Sequence, residues 1–184
     1  MALFTGKGDD GTTKTFGCDQ RISKSSAIAE ALGSLDETNS FLGLVKVESE
    51  ILKFKFQDKD FSEIIHTVQE NLFIVQAELA GADKSIALEK VKEAEEIINA
   101  IEKELPPIKT FFISGGSKLA ALFDISRTLA RRAERRVVGV NEENIQKISS
   151  KTLAYLNRLS SLLYAFARLS NHLSGIREVS PEYK

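Results

Sequence analysis

The segment from Phe61 to Leu79 constrains this chain more than any other. Phe61, Ile65, Val68, Leu72, Val75 and Leu79 recur at steps of 4, 3, 4, 3 and 4. That spacing lines all six side chains along one stripe of a helix, and a lone helix cannot bury its own stripe. Other helices must cover it, and the sequence supplies them. Ile28, Leu32, Leu35, Leu42 and Val45 predict a helix from Ser26 to Leu52, with Ser25 or Ser26 as its cap. The Phe61–Leu79 helix has Asp60 three residues before Glu63, a capping arrangement, and Gly81 as its stop. A third helix spans Ser85 to Leu105, with Val91, Ala94, Ile98, Ile101 and Leu105 inward, and ends at Pro106-Pro107. A fourth spans Ser117 to Val140, after Gly115-Gly116. A fifth spans Asn144 to Leu173, with Ile145, Ile148, Thr152, Leu156, Leu159, Leu163 and Phe166 as its stripe.

No alternation of strands and helices appears. Only residues 109–116, KTFFISGG, resemble a strand. The expected architecture is an all-α, five-helix bundle in a single domain, residues 1–184. Within it, 1–24 form a glycine-rich N-terminal loop, 25–174 the helical bundle and 175–184 a C-terminal tail. Phe54 and Phe56 sit in the polar connector KFKFQDKD and are expected to pack on the bundle or on a neighbouring subunit.

Composition narrows the chemistry. Basic residues number 25 and acidic residues 26, for a formal charge of -1, which excludes a chain-wide field for an acidic or basic partner. Cys18 is the sole cysteine, so neither an intrachain disulfide nor a thiolate metal cage can form, and a free thiol is expected. His66 and His172 are the only histidines, too few for most zinc sites or His-based triads. Glu63-x-x-His66 is half of a di-iron bundle motif, but the second half is missing, because Leu169 stands three residues before His172. His66 therefore reads as a surface or interface residue. No apolar run spans a membrane, and the N-terminus lacks a signal peptide's apolar core. A cytoplasmic location, with no membrane partner, is expected.

Two constellations remain. Gly6-x-Gly8-x-x-Gly11 matches a dinucleotide fingerprint as a string, yet the flanking strand and βαβ unit are missing. The Walker A pattern also fails, because Thr12-Thr13 follow Gly11. The underlying physics still applies. Glycines let backbone N–H groups approach an anion closely, and threonine hydroxyls add donors. Lys7 and Lys14 add charge, while Asp9 and Asp10 could hold a metal ion between phosphates. A plain polar loop is the competing reading.

The second constellation is Arg127, Arg131, Arg132, Arg135 and Arg136, five of the nine arginines. With Arg127 at zero, the others fall between about 40° and about 180° on a helical wheel. Leu122, Leu129, Ala133 and Val137 occupy the sector from about 200° to about 280°. The helix thus has a core face and a cationic face without a matching acidic stripe of its own. Arginine suits bidentate recognition of phosphate or carboxylate. A solvated face is the alternative. A nucleic-acid footprint would need a second basic patch, and none is evident, so nucleic acid is not expected as a partner. Asp36 interrupts an apolar stripe and is either exposed or paired with one of these arginines. Asn157-Arg158 interrupts the fifth helix in the same way.

The ordered set of segments is familiar. Thr5-Gly6-x-Gly8-Asp9-x-Gly11, Arg21-Ile-Ser-Lys24, Gly33-x-x-Asp36-Glu37-x-Asn39-Ser40, Phe111-x-x-x-Gly115-Gly116, Ser126-Arg127-x-x-x-Arg131-Arg132-Ala-Glu134-Arg135 and Asn157-Arg158-Leu-Ser160 occur in this order, from about residue 4 to about residue 170. The chain resembles the PduO-type ATP:cob(I)alamin adenosyltransferases. The resemblance implies a homotrimer with active sites between subunits. It implies transfer of the 5′-deoxyadenosyl group of ATP to cob(I)alamin, with release of triphosphate and with Mg²⁺ on its phosphates. By motif, Thr5, Gly6, Lys7, Gly8, Asp9, Gly11, Thr12, Thr13, Arg21, Lys24, Arg131, Glu134, Arg135 and Asn157 would line the ATP site. Asp36 and Arg127 would form a salt bridge across the subunit interface near the corrin. Phe111 would sit under the cobalt and displace its lower ligand. A reductase and a cobalamin-dependent acceptor enzyme are the further partners implied. Ser114 and Ser161 depart from the family pattern, which often has Pro and Asp at these positions.

This chemistry suits a chain poor in histidine and cysteine. Cob(I)alamin is itself the nucleophile, so the protein needs no general base. It must orient C5′ and stabilise a polyanionic leaving group. The alternative is a non-catalytic bundle that grips ATP or RNA through its arginine helix.

Overall fold

The computed structural model describes residues 3–15 and 20–183, so Cys18 lies outside the described residues. Five long helices dominate it: α1 (Ala27–Leu52), α2 (Phe61–Leu79), α3 (Leu88–Glu104), α4 (Lys118–Glu142) and α5 (Ser150–Leu173). Two short antiparallel ladders accompany them, β1 (Thr12–Thr13) with β2 (Ile22–Ser23) and β3 (Lys55–Phe56) with β4 (Lys59–Asp60). α4 packs against both α1 and α5, α1 against α2, and α3 against α5. Neighbouring helices therefore follow the order α2–α1–α4–α5–α3 around the bundle, with α4 between α1 and α5.

The seam on α2 forms as its spacing predicts. Phe61, Ile65, Leu72, Val75 and Leu79 are fully buried and Val68 nearly so. Phe61 meets Phe166 of α5 edge-on, with ring centroids 4.8 Å apart, and Phe166 stacks on Phe123 of α4 at 5.4 Å. Three helices thus meet at one aromatic cluster. Phe56 is buried, and Phe54 packs edge-on against Phe61. The connector's aromatics therefore close the bundle itself. Buried Glu78 ties α2 to α5 by accepting hydrogen bonds from Ser149 N–H (2.7 Å) and the Thr152 hydroxyl.

Helix ends follow local chemistry. Ser26 caps α1, accepting from Ala29 N–H, and Ser117 caps α4. Glu63 folds back onto the backbone N–H of Asp60. Two expectations need correction. α5 begins at Ser150 instead of Asn144, because Ser149 caps it and Asn144 takes a positive φ of 55°. Ile145 is consequently left 46% exposed. Residues 109–116 are not a strand. Gly115 and Gly116 have φ of 112° and 105°, outside the β region, so extended pairing cannot continue through them. No helix among the described residues is long and apolar enough to cross a membrane.

A cleft of about 530 Å³ opens between α2 and α3, beside the β3–β4 hairpin. Tyr155 lines it, and its hydroxyl accepts from the side-chain amide of Asn71 (3.1 Å). Burial pushes the Tyr155 phenol up to about 12, and the Asn71 bond only partly offsets this. The folded state therefore keeps its proton where the unfolded chain, near 10, has lost it. Stability should fall as pH rises from about 10 to about 12, by about 2–3 kcal/mol in all. Urea melts of the wild type and Tyr155→Phe across that range should diverge, with only the wild type carrying this component.

Candidate active site

The arginine helix is less free than its wheel suggests. Arg132 pairs with Glu37 and Arg136 with Glu30, both carboxylates contributed by α1. The acids absent from α4's own stripe stand on its neighbour. Arg127 lies 3.5 Å from Asp124 Oδ1, one turn back on α4. Its buried Nε makes no hydrogen bond among the described residues, because an ion-pair distance there comes without hydrogen-bond alignment. Asp36, exposed on α1, engages none of these arginines in the described ion pairs. It borders a separate groove of about 660 Å³, with Leu32, Gly33, Phe73 and Ala77.

Arg131 and Arg135 face outward, and Arg135 Nη1 donates to the backbone oxygen of Arg131 (3.1 Å). Glu134 accepts from the Asn157 side-chain amide (3.1 Å), joining α4 to α5. Arg158 turns aside to Glu95 of α3 (2.8 Å). Arg131, Glu134, Arg135 and Asn157 thus form one polar ridge along the α4–α5 junction.

Beside that ridge is a cleft of about 620 Å³. Arg127 and Arg131 of α4, Ser160, Ser161 and Tyr164 of α5, and residues 108–112 and 114 line it. The Arg127 guanidinium lies 5.8 Å from the Tyr164 ring centroid. Burial pushes the Tyr164 phenol up from its ordinary value. The segment's apolar side chains face water: Phe111 is 79% exposed, Ile113 59% and Ile108 50%. An aromatic so exposed, next to arginines and a large cleft, makes this surface the candidate site.

The segment is nevertheless held firmly. Asp124 Oδ2 accepts from Gly115 N–H (3.0 Å). Asn171 donates to the Gly115 carbonyl and accepts from Ser117 N–H, both at 2.8 Å. A Cβ on Gly116 would stand 2.4 Å from Asn171 Oδ1. Asp124, Tyr164 and Asn171 escaped the sequence reading. Asp124's position three residues before Arg127 was the one available signal, since that spacing faces two side chains together.

The N-terminal loop is built separately. Gly6 and Gly11 adopt φ of 67° and 78°, and tight turns bring Asp9 N–H to Gly6 O and Gly11 N–H to Gly8 O. Thr5 Oγ1 accepts from Lys7 N–H. Thr12 and Thr13 pair with Ser23 and Ile22. Arg21 donates to the carbonyls of Lys7 and Thr12, and Lys24 Nζ to that of Gly8 (2.8 Å). These two cations brace the loop, although the motif would place them against ATP. The Thr12 hydroxyl and N–H, with a further contribution from Arg21, hold Asp10's carboxyl below the usual carboxylate range.

Comparison with known proteins decides the family. The cobalamin adenosyltransferase family model matches residues 3–170. The chain belongs to the cobalamin adenosyltransferase family. It is 39% identical over 186 residues to a corrinoid adenosyltransferase of Bacillus subtilis, covering 99% of this chain and 93% of that one. It is 34% identical to the corrinoid adenosyltransferase PduO of Salmonella typhimurium over its whole length, but spans only 55% of that longer protein. Among solved structures, a Phe-to-Ala variant of the PduO-type ATP:corrinoid adenosyltransferase from Lactobacillus reuteri, complexed with cobalamin and ATP, superposes with a TM-score of 0.87 at 28% identity. That match covers 98% of this chain and 99% of the other.

Asn171 and Gly116 offer a direct test of how the segment is held. Gly116→Ala should destabilise the fold by about 1–3 kcal/mol, from left-handed strain and the clash with Asn171. The effect should appear as a lowered urea midpoint with an unchanged slope.

Proposed function

We propose that this chain transfers the 5′-deoxyadenosyl group of ATP to cob(I)alamin. The observation that carries the reading is the cleft itself: outward-facing Arg131 beside an exposed, firmly held aromatic segment, in a member of this family. A corrin has broad apolar faces that suit Phe111, Ile108 and Ile113, while a triphosphate suits Arg131 and Arg135. Cob(I)alamin gives its electron pair to C5′, and the C5′–O bond breaks with its pair leaving on triphosphate. The protein's residues position and neutralise; none is asked to take a proton.

Phe111 is assigned to the face of the corrin, where its ring would exclude the cobalt's lower ligand. The Thr5–Thr13 loop, braced by Arg21 and Lys24, is assigned to the nucleotide. Glu134 and Asn157, joined to each other, are assigned to the same ATP site. Mg²⁺ is assigned to the phosphates of ATP, because Asp10's carboxylate is already engaged by Thr12 and Arg21.

The chain is proposed to act as a homotrimer, with each site shared between subunits. Arg127 has an unused buried donor, and Asp36 is an exposed carboxylate in a different groove. Pairing between subunits would satisfy both. Exposed Leu44, Val47, Ile51 and Phe73 provide apolar surface for such contacts. A reductase would supply cob(I)alamin, and a cobalamin-dependent enzyme would accept the product in the cytoplasm.

One assay tests the reading. ATP and chemically reduced cobalamin should give a light-sensitive cobalt–carbon product with release of triphosphate. ATP-independent, salt-sensitive RNA binding without that product would instead favour the binding-module alternative. Arg131→Ala should cut turnover about 10- to 150-fold, the value of one charge-assisted contact of about 1.5–3 kcal/mol, while the oligomer stays intact. Near-normal turnover would remove Arg131 from the site. Phe111→Ala should slow reaction from cob(II)alamin with a reductant more than reaction from pre-reduced cob(I)alamin. Equal effects on both would sink the ligand-displacement role.

A further inference from the structure

The C-terminal tail folds back across the 106–116 segment. Ile176 N–H donates to Asn171 O (2.9 Å), and Ile113 N–H donates to Val179 O (2.8 Å). Between these points, Glu178 receives a forked ion pair from Arg168 of α5. Nε donates to both carboxylate oxygens (3.0 and 3.1 Å) and Nη2 to one of them (2.9 Å). The same Nη2 donates to the Pro106 carbonyl (2.9 Å), and the guanidinium lies 5.3 Å from the Phe112 ring centroid. Arg168 is only 5% exposed.

One guanidinium therefore grips the start of the segment at Pro106, its middle at Phe112 and the tail at Glu178. Asn171, on the next turn of α5, grips its end at Gly115 and Ser117. A buried ion pair is a poor way to gain stability, since desolvation offsets most of the attraction. Its distinctive property is direction: a planar fork fixes three partners in one geometry. Of the residues so held, Phe112 lines the cleft, and the chain between the two grips adds residues 108–111 and Ser114 to the same wall, next to Arg127 and Arg131.

We propose that Arg168 is a positioning residue, and that residues 176–179 are a strap it locks over the segment. The lock keeps the cleft wall in its binding geometry before the corrinoid arrives, so ordering of the wall is not charged against binding. The consequence for activity rests on the functional reading above.

Arg168→Ala would open a hole in the bundle, so the test variant is full-length Glu178→Ala, which leaves the tail free to lift and Arg168 able to reach water. Hydrogen exchange of the Ile113 amide, measured without ligands, should quicken at least about tenfold, while α4 core amides stay unchanged. The KM for cob(I)alamin should rise about tenfold with the KM for ATP unchanged, matching about 1.4 kcal/mol of lost preorganisation. Wild-type exchange at Ile113 in this variant overturns the strap. A parallel rise in both KM values overturns the positioning role. Absence of turnover by the wild-type chain overturns the functional reading instead, and the exchange measurement then decides the strap alone.

Discussion

The wedging of α4 between α1 and α5 governs the rest of the molecule. Leu119, Phe123, Ala130, Ala133, Val137 and Val140 are buried along it, and the two alanines allow close approach of its neighbours. Contact on two sides leaves α4 only a narrow strip to show to solvent. Arg132 and Arg136 fall toward α1, where Glu37 and Glu30 neutralise them. Arg131 and Arg135 fall on the open strip. Packing, not composition, divides these four similar arginines into two that brace α1 and two that face solvent.

Two irregular segments accompany the helices, and each is stabilised differently. The N-terminal loop is self-contained: short turns, one two-residue ladder and the side chains of Arg21 and Lys24 returning to its own carbonyls. The 106–116 segment borrows its order from elsewhere. Asp124, Arg168 and Asn171 reach it from α4 and α5, and the tail supplies a backbone acceptor. This lets Phe111 and Ile113 remain exposed without the segment collapsing onto the core. Preorganised exposure of apolar surface suits a large, flat, hydrophobic substrate.

The helices were legible because burial writes itself into sequence as period. The α2 seam, the Ser26 cap and the stop at Pro106-Pro107 all act within a few residues. The start of α5 was misread because Ile145 and Ile148 continue the stripe, yet Ser149 offers a better cap and only Ile148 turns inward. Residues 109–116 read as a strand because Phe-Phe-Ile is strand-prone, but the two left-handed glycines and long-range hydrogen bonds overrode propensity. Arg168 carried a faint signal, a charge among the apolar residues of α5, which usually means a buried partner. The partner, Glu178, lies in a tail with no periodicity to announce it.

The sequence by itself determined the five helices, the core stripes, the family motifs and the clustering of arginines on one element. These depend on spacing along the chain, which local geometry converts directly into faces. Only the tertiary structure decided which arginines are neutralised by α1, that Asp36 and Arg127 sit in different grooves, and that the tail bonds to Ile113 and Arg168. Those outcomes depend on contacts between residues 10 to 106 positions apart, made only once the helices have packed. No local rule in the chain encodes such contacts one by one.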